Sequence, residues 1–282
     1  MKGLRCASAL VVLLGACGDS TRVTLRYQPA AGTTLHYIMD QDLTVRMEGA
    51  AGAAGRQDIK MHIEYTHTVK GPTDGGTEVA LHIDGVDAKS PQMPPAVLSA
   101  MSEMLRGIET NIVFDERMQV VRAGVTNQGN VPAEFTSQLA GGIQGATFPL
   151  PEHPIKVGQS WTGEIAAPTG RIPGLSEPLK LHYRVRLARI RPSGADTVAR
   201  LEIEASFPND PIHIPSGATL TMDGTMKGDL EYSVTRSAII HSSLKGTIRI
   251  TSSGGGPGDQ GAMALDQSLE LLLMDTGPTP PP

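Results

Sequence analysis

Residues 59–70 alternate without a break. Ile59, Met61, Ile63, Tyr65, His67 and Val69 hold one phase, and Lys60, His62, Glu64, Thr66, Thr68 and Lys70 hold the other. A period of two sets the first group on one side of a strand and the second on the opposite side, whereas a helix would scatter both. The pattern recurs. Leu179, Leu181, Tyr183, Val185 and Leu187 alternate with Lys180, His182, Arg184 and Arg186, and after a turn at 192–196 Ala199, Leu201, Ile203, Ala205 and Phe207 alternate with Arg200, Glu202, Glu204 and Ser206. Those two segments read as a hairpin pairing a basic face with an acidic one. Further strands are expected at 23–27, 35–39, 43–47, 79–83, 112–121 (one strand, or two short ones about a turn at Phe114-Asp115-Glu116-Arg117), 226–234, 240–250 and 265–273. Asp40-Gln41-Asp42 breaks the apolar run of the second and third, and reads as a bulge.

Two stretches depart from this period. Pro94 and Pro95 open a helix whose apolar face is Val97, Leu98, Met101, Met104, Leu105 and Ile108. A second helix is expected over 132–143 from Phe135, Leu139 and Ile143. Pro149, Pro151 and Pro154 then forbid helix or central strand, so 148–157 is an extended connector, and Trp161, the one tryptophan, starts a new β region.

About ten antiparallel strands with one apolar face each need cover, and two helices are too few to supply it. The fold class expected is therefore mainly β (α+β): a curved antiparallel sheet, an incomplete barrel or a sandwich, with two inserted helices as plug or lid. Aromatics make up only 4% of the chain, so the core must be filled by aliphatics and the 12 methionines.

The N-terminus speaks of location. Lys2 and Arg5 precede an apolar run at 7–14, too short to span a bilayer, and Leu14-Gly15-Ala16-Cys17 closes it. The expected division is a signal peptide at 1–16, a tether at 17–21, one β-rich domain at 22–274 and a disordered tail at 275–282. Cleavage before Cys17 removes Lys2, Arg5 and Cys6, leaving 22 basic and 29 acidic residues, a net charge of −7, and one cysteine. No internal disulfide can then form. With no basic cluster, nucleic acid is not an expected partner.

The Leu-Gly-Ala-Cys ending resembles the lipobox of bacterial lipoproteins. That resemblance implies acylation of Cys17 on its sulfur and its freed amine, and hence the membrane as a partner through the N-terminal lipid. Gly18 after the cysteine resembles outer-membrane sorting, facing the periplasm or the surface. Together with Gly32-Thr33-Thr34-Leu35-His36-Tyr37, the Met-containing helix and the Phe148-Pro149-Leu150-Pro151 to Val157-Gly158-Gln159-Ser160-Trp161 segment, it is similar to a family of bacterial lipoproteins carrying a domain of unknown function. The family implies an envelope lipoprotein and supplies no catalytic residues. A looser likeness, of architecture alone, is to curved-sheet carriers that handle lipids or lipoproteins in the periplasm.

Chemistry is sparse. Gly158-Gln159-Ser160-Trp161-Thr162-Gly163 lacks the glycine two places after serine that a hydrolase elbow requires. His62 and Glu64 share a strand face that His82 or His182 could join, but no ligand spacing marks a metal site. No catalytic residue, metal or cofactor is expected. Leu98, Met101, Met104 and Leu105 are the candidates for lining an apolar ligand pocket, against the plainer reading that they seal the core. The function expected is a non-enzymatic, membrane-anchored envelope lipoprotein that binds an apolar small molecule or an envelope protein in its curved sheet. A scaffold lipoprotein without a pocket is the alternative, and a hydrolase-like enzyme the third.

Overall fold

The computed structural model describes residues 22–49, 55–127, 147–166, 180–213, 217–254 and 261–274. Their strands are β1 (Thr34–Gly49), β2 (Gly55–Thr73), β3 (Gly76–Lys89), β4 (Glu109–Phe114), β5 (Val120–Asn127), β6 (Ser160–Ala166), β7 (Lys180–Ser193), β8 (Asp196–Ser206), β9 (Ile212–His213), β10 (Ala218–Ser233), β11 (Ala238–Gly254) and β12 (Gly261–Leu273). One helix, α1 (Pro95–Leu105), interrupts them. The expected second helix at 132–143 lies outside the described residues, as do the signal, the tether and the tail.

All twelve strands join one antiparallel sheet, in the order β5-β4-β3-β2-β1-β12-β11-β10-β8-β7-β6, with β9 beside β10. The path ends at β5 and β6, so the sheet is open rather than a closed barrel. Its centre is the pair β1–β12, in unbroken register from Tyr37–Leu273 to Gly49–Gly261. The expected bulge at Asp40-Gln41-Asp42 is absent. Leu35, Tyr37, Met39, Leu43, Val45 and Met47 share one phase, and Gln41 simply takes its turn among them. The basic-to-acidic hairpin forms as expected, with Arg184 opposite Glu204 and Arg186 opposite Glu202.

The sheet curves until its two ends share a core. Val79, Ile112 and Phe114 from β3 and β4 belong to the same buried cluster as Leu181, Leu187, Ile203 and Tyr232 from β7, β8 and β10. Part of the bend is written in glycine. Gly224 and Gly228 of β10 and Gly246 of β11 fall on the inner face of adjoining strands. A Cβ on Gly224 would lie 2.6 Å from the Thr247 carbonyl oxygen, and one on Gly228 would collide with that of Ser243. Missing side chains here let the two backbones close in on the inside of the curve.

Between the sheet's ends lies a clasp of irregular chain. The expected first strand at 23–27 is not a strand, because its backbone partners are loops: Val23 and Ile155 exchange hydrogen bonds of 2.8 and 2.9 Å, and the Tyr27 amide donates to Glu116 O. The connector's prolines carry no N–H, so its carbonyls are the groups that need partners. Side chains supply them. Trp161 Nε1 donates to Pro149 O at 2.7 Å, Arg117 Nε to Leu150 O at 2.9 Å, and Arg26 to Pro151 O and Glu152 O at 2.8 and 2.6 Å. Tyr232 Oη reaches in from β10 to Arg26 O at 2.7 Å. Leu25 and Leu150 are fully enclosed as a result. The β4–β5 turn completes the clasp: Asp115 Oδ1 accepts from the amides of Arg117 and Gln119, and Met118, at φ 62°, turns its side chain into the core.

α1 packs against β3. Leu98 and Leu105 are buried, and Met101 rests on Ile83, Val86 and Ile108. Val97 and Met104 face outward at 47% and 39% exposure. A helix touching one rim of a sheet buries a narrow stripe (here 98, 101 and 105) rather than the broad face its apolar residues would allow.

Candidate functional site

Because the registers are continuous, the inner face can be read as rows of residues across strands. Toward β7, β8 and β10 the rows are sealed: Leu181, Val185, Leu187, Leu201, Ile203 and Tyr232 are all 3% exposed or less. Across β2, β1 and β12 they are not. Ile63–Met39–Leu271, Met61–Gln41–Leu269, Ile59–Leu43–Gln267 and Gln57–Val45–Leu265 form successive rows, and every one of these side chains is only partly buried. The result is a trough floored by half-open aliphatics, and no charged side chain appears in any of these rows.

The trough adjoins two spaces. On the β12 side, Gln267, Leu269 and Leu271 pass beneath Met118 and Phe148 into a small cavity of about 110 Å³, also lined by Met226, Leu244 and Leu181. On the other side, Leu43 and Ile59 enter a cleft of about 1050 Å³ below α1, with Val86, Ala88 and Leu98. The cleft's rim is polar and mixed in sign. Arg56 is bonded to Asp58, Lys60 to Asp42 and Lys89 to Asp87. At its inner end the trough meets three packed rings. Tyr37 stacks on Tyr65 at 5.3 Å, and His67 lies 5.2 and 5.1 Å from them. Among the described residues the buried His67 Nε2 has no hydrogen-bond partner, and burial pushes the imidazole down to about 4, so it is neutral.

Of the helix residues singled out from sequence, Leu98 lines the cleft, Met101 and Leu105 pack on β3, and Met104 turns to solvent. Most of the trough floor was not singled out, since alternation does not say whether a face is covered. The available signals were Gln41 and Gln267, polar residues in otherwise apolar phases.

The outer face carries the charge. His62 Nδ1 meets Asp40 at 2.7 Å, which raises its affinity for a proton, and its Nε2 lies 3.5 Å from Glu64. His182 stands 3.4 Å from Glu164, and His82 lies 3.6 Å from Glu109. Among the described residues no three His, Cys, Asp or Glu side chains are grouped to hold a metal ion, and no helix is long and apolar enough to cross a membrane. Ser160 begins the edge strand β6 opposite Arg186.

No family model matches the chain, and no curated protein matches it. Among solved structures it is similar to lipovitellin, described for its lipid–protein interactions. The TM-score is 0.50 at 9% identity over 90% of this chain, which spans only 26% of the lipovitellin chain. Matches with lower TM-scores are DynF of the dynemicin biosynthesis pathway of Micromonospora chersina (0.22, 8% identity, 90% of this chain and 86% of that one) and a LolA-superfamily protein of Nitrosomonas europaea (0.17, 11%, 88% and 90%). The lipovitellin likeness is one of fold.

Proposed function

We propose that this chain is a non-enzymatic lipoprotein of the cell envelope, tethered through Cys17, that holds an apolar molecule in the trough. The observation that carries the reading is the contrast within one face: β3 and β4 at one end and β7, β8 and β10 toward the other bury their aliphatics almost completely, and the rows across β2, β1 and β12 between them leave theirs part-open. A single exposed leucine needs no explanation, but a contiguous charge-free floor under a curved sheet does. Occupancy by an apolar ligand removes that surface from water at roughly 25 cal/mol per Å². A fold shared with a protein described for its contacts with lipid supports the same reading.

Native mass spectrometry of the full chain, released in mild detergent, tests it. Wild type should carry a co-purifying apolar adduct, and Leu43→Glu or Leu269→Glu should lose it, since an unpaired charge on the floor is incompatible with an apolar occupant. An empty wild-type protein overturns the proposal. The tether is tested separately: Cys17→Ser should move the protein, unprocessed precursor aside, from the membrane fraction to the soluble one, because several acyl chains are what anchoring requires. Unchanged membrane partition of the processed chain would refute the anchor.

A further inference from the structure

Building on that reading, we infer that the occupant is a neutral lipid bearing an ester or amide carbonyl beside its hydrocarbon, and that Gln41 and Gln267 hold the carbonyl group. The two glutamines lie diagonally across the β1–β12 pair: Gln41 is opposite Leu269, and Gln267 is opposite Leu43. Diagonal neighbours of this kind sit roughly 7–8 Å apart, within reach of one group through flexible side chains. Both are partly buried and project among Met39, Met61, Leu43 and Leu269. Neither side chain is hydrogen-bonded to any other described residue.

In an empty trough water serves these amides. An apolar ligand displaces that water, and two primary amides would then be buried without partners, a penalty that disfavours pure hydrocarbon. A carbonyl or hydroxyl placed over them restores the bonds, because each amide both donates and accepts. An ionised headgroup does not suit this position. The rows around the pair hold no countercharge, and the nearest charged groups on the same strands, Asp40, Asp42, Asp266 and Glu270, belong to the opposite face of the pleat. The glutamines lie between the covered cavity at Leu269 and the open cleft at Leu43, so hydrocarbon can extend to either side of the carbonyl.

The full chain in mild detergent, offered equal amounts of mono-oleoylglycerol and squalene and read by native mass spectrometry, decides the matter. Wild type should favour mono-oleoylglycerol by about tenfold or more, the scale of one to two net hydrogen bonds. Gln41→Leu/Gln267→Leu should keep squalene and lose the preference, with an unchanged thermal midpoint. Should the double variant fail to fold, the single variants Gln41→Met and Gln267→Met should each lose part of the preference. Equal uptake of both probes by wild type, or a preference the leucine or methionine variants retain, overturns this inference and leaves the trough standing. Uptake of neither probe by wild type overturns the trough itself.

Discussion

Gly228→Ala is expected to destabilise the fold by more than about 4 kcal/mol, leaving little folded protein. The added methyl would meet the Ser243 carbonyl oxygen and the Leu244 backbone, which belong to the neighbouring strand's ladder. Neither can retreat without parting β11 from β10, and that pair holds sixteen registered partners from Ala218–Gly254 to Ser233–Ala238. Nor can a rotamer change help, since a Cβ has none. Gly124→Ala provides the comparison: it stands on β5 with nothing within 4 Å of the new carbon, and it should be neutral or mildly stabilising. Urea unfolding followed by circular dichroism measures both. Equal stabilities for the two variants would mean that the β10–β11 bend does not depend on its missing side chains.

Acidification should weaken the fold through His67. The unfolded imidazole takes a proton near pH 6.5, and the buried one only near 4. Between those values the unfolded chain binds the extra proton, so stability is full above about 6.5 and falls as the pH drops toward 4. The loss is of order 3 kcal/mol, and it stops below 4, where both states are protonated. Tyr37 and Tyr65, the rings that face His67, stay neutral throughout because burial raises both of them. Other groups act in other windows. Asp58 and Asp196 are held below the usual carboxylate range by hydrogen bonds, so their losses come below about pH 4. His62 is shifted upward by Asp40 and acts above 6.5. His67→Phe should flatten the curve between 6.5 and 4 while leaving the acid limb intact. A slope unchanged in His67→Phe would assign it to other groups.

The architecture was legible where the chemistry is local. Alternation located the strands, proline marked both the start of α1 and the connector, and charge pattern paired β7 with β8. Three features escaped for physical reasons. The segment at 23–27 has the residues of a strand but binds loops, which its own sequence does not encode. Asp40-Gln41-Asp42 looked like a break because two acids flank the glutamine, yet in register those acids point outward while Gln41 faces the trough. The pairing of β1 with β12 depends on segments more than two hundred residues apart, and no local signal specifies it. The site followed the same rule. Methionines on α1 drew attention to Leu98, Met101, Met104 and Leu105, whereas the open floor lies on the central strands, whose residues alternate like those of any buried strand.

That central pairing also dictates an order of events. β1 has β2 available on one edge as soon as residue 73 exists, but its other edge waits for β12. A chain that has not yet delivered residues 261–273 therefore holds two half-sheets with bare inner margins, each a template for the wrong neighbour. Assembly must be a late, whole-length step with a large entropy of loop closure, slow compared with hairpin formation. Loss of the last strand would split the molecule down its middle instead of trimming an edge.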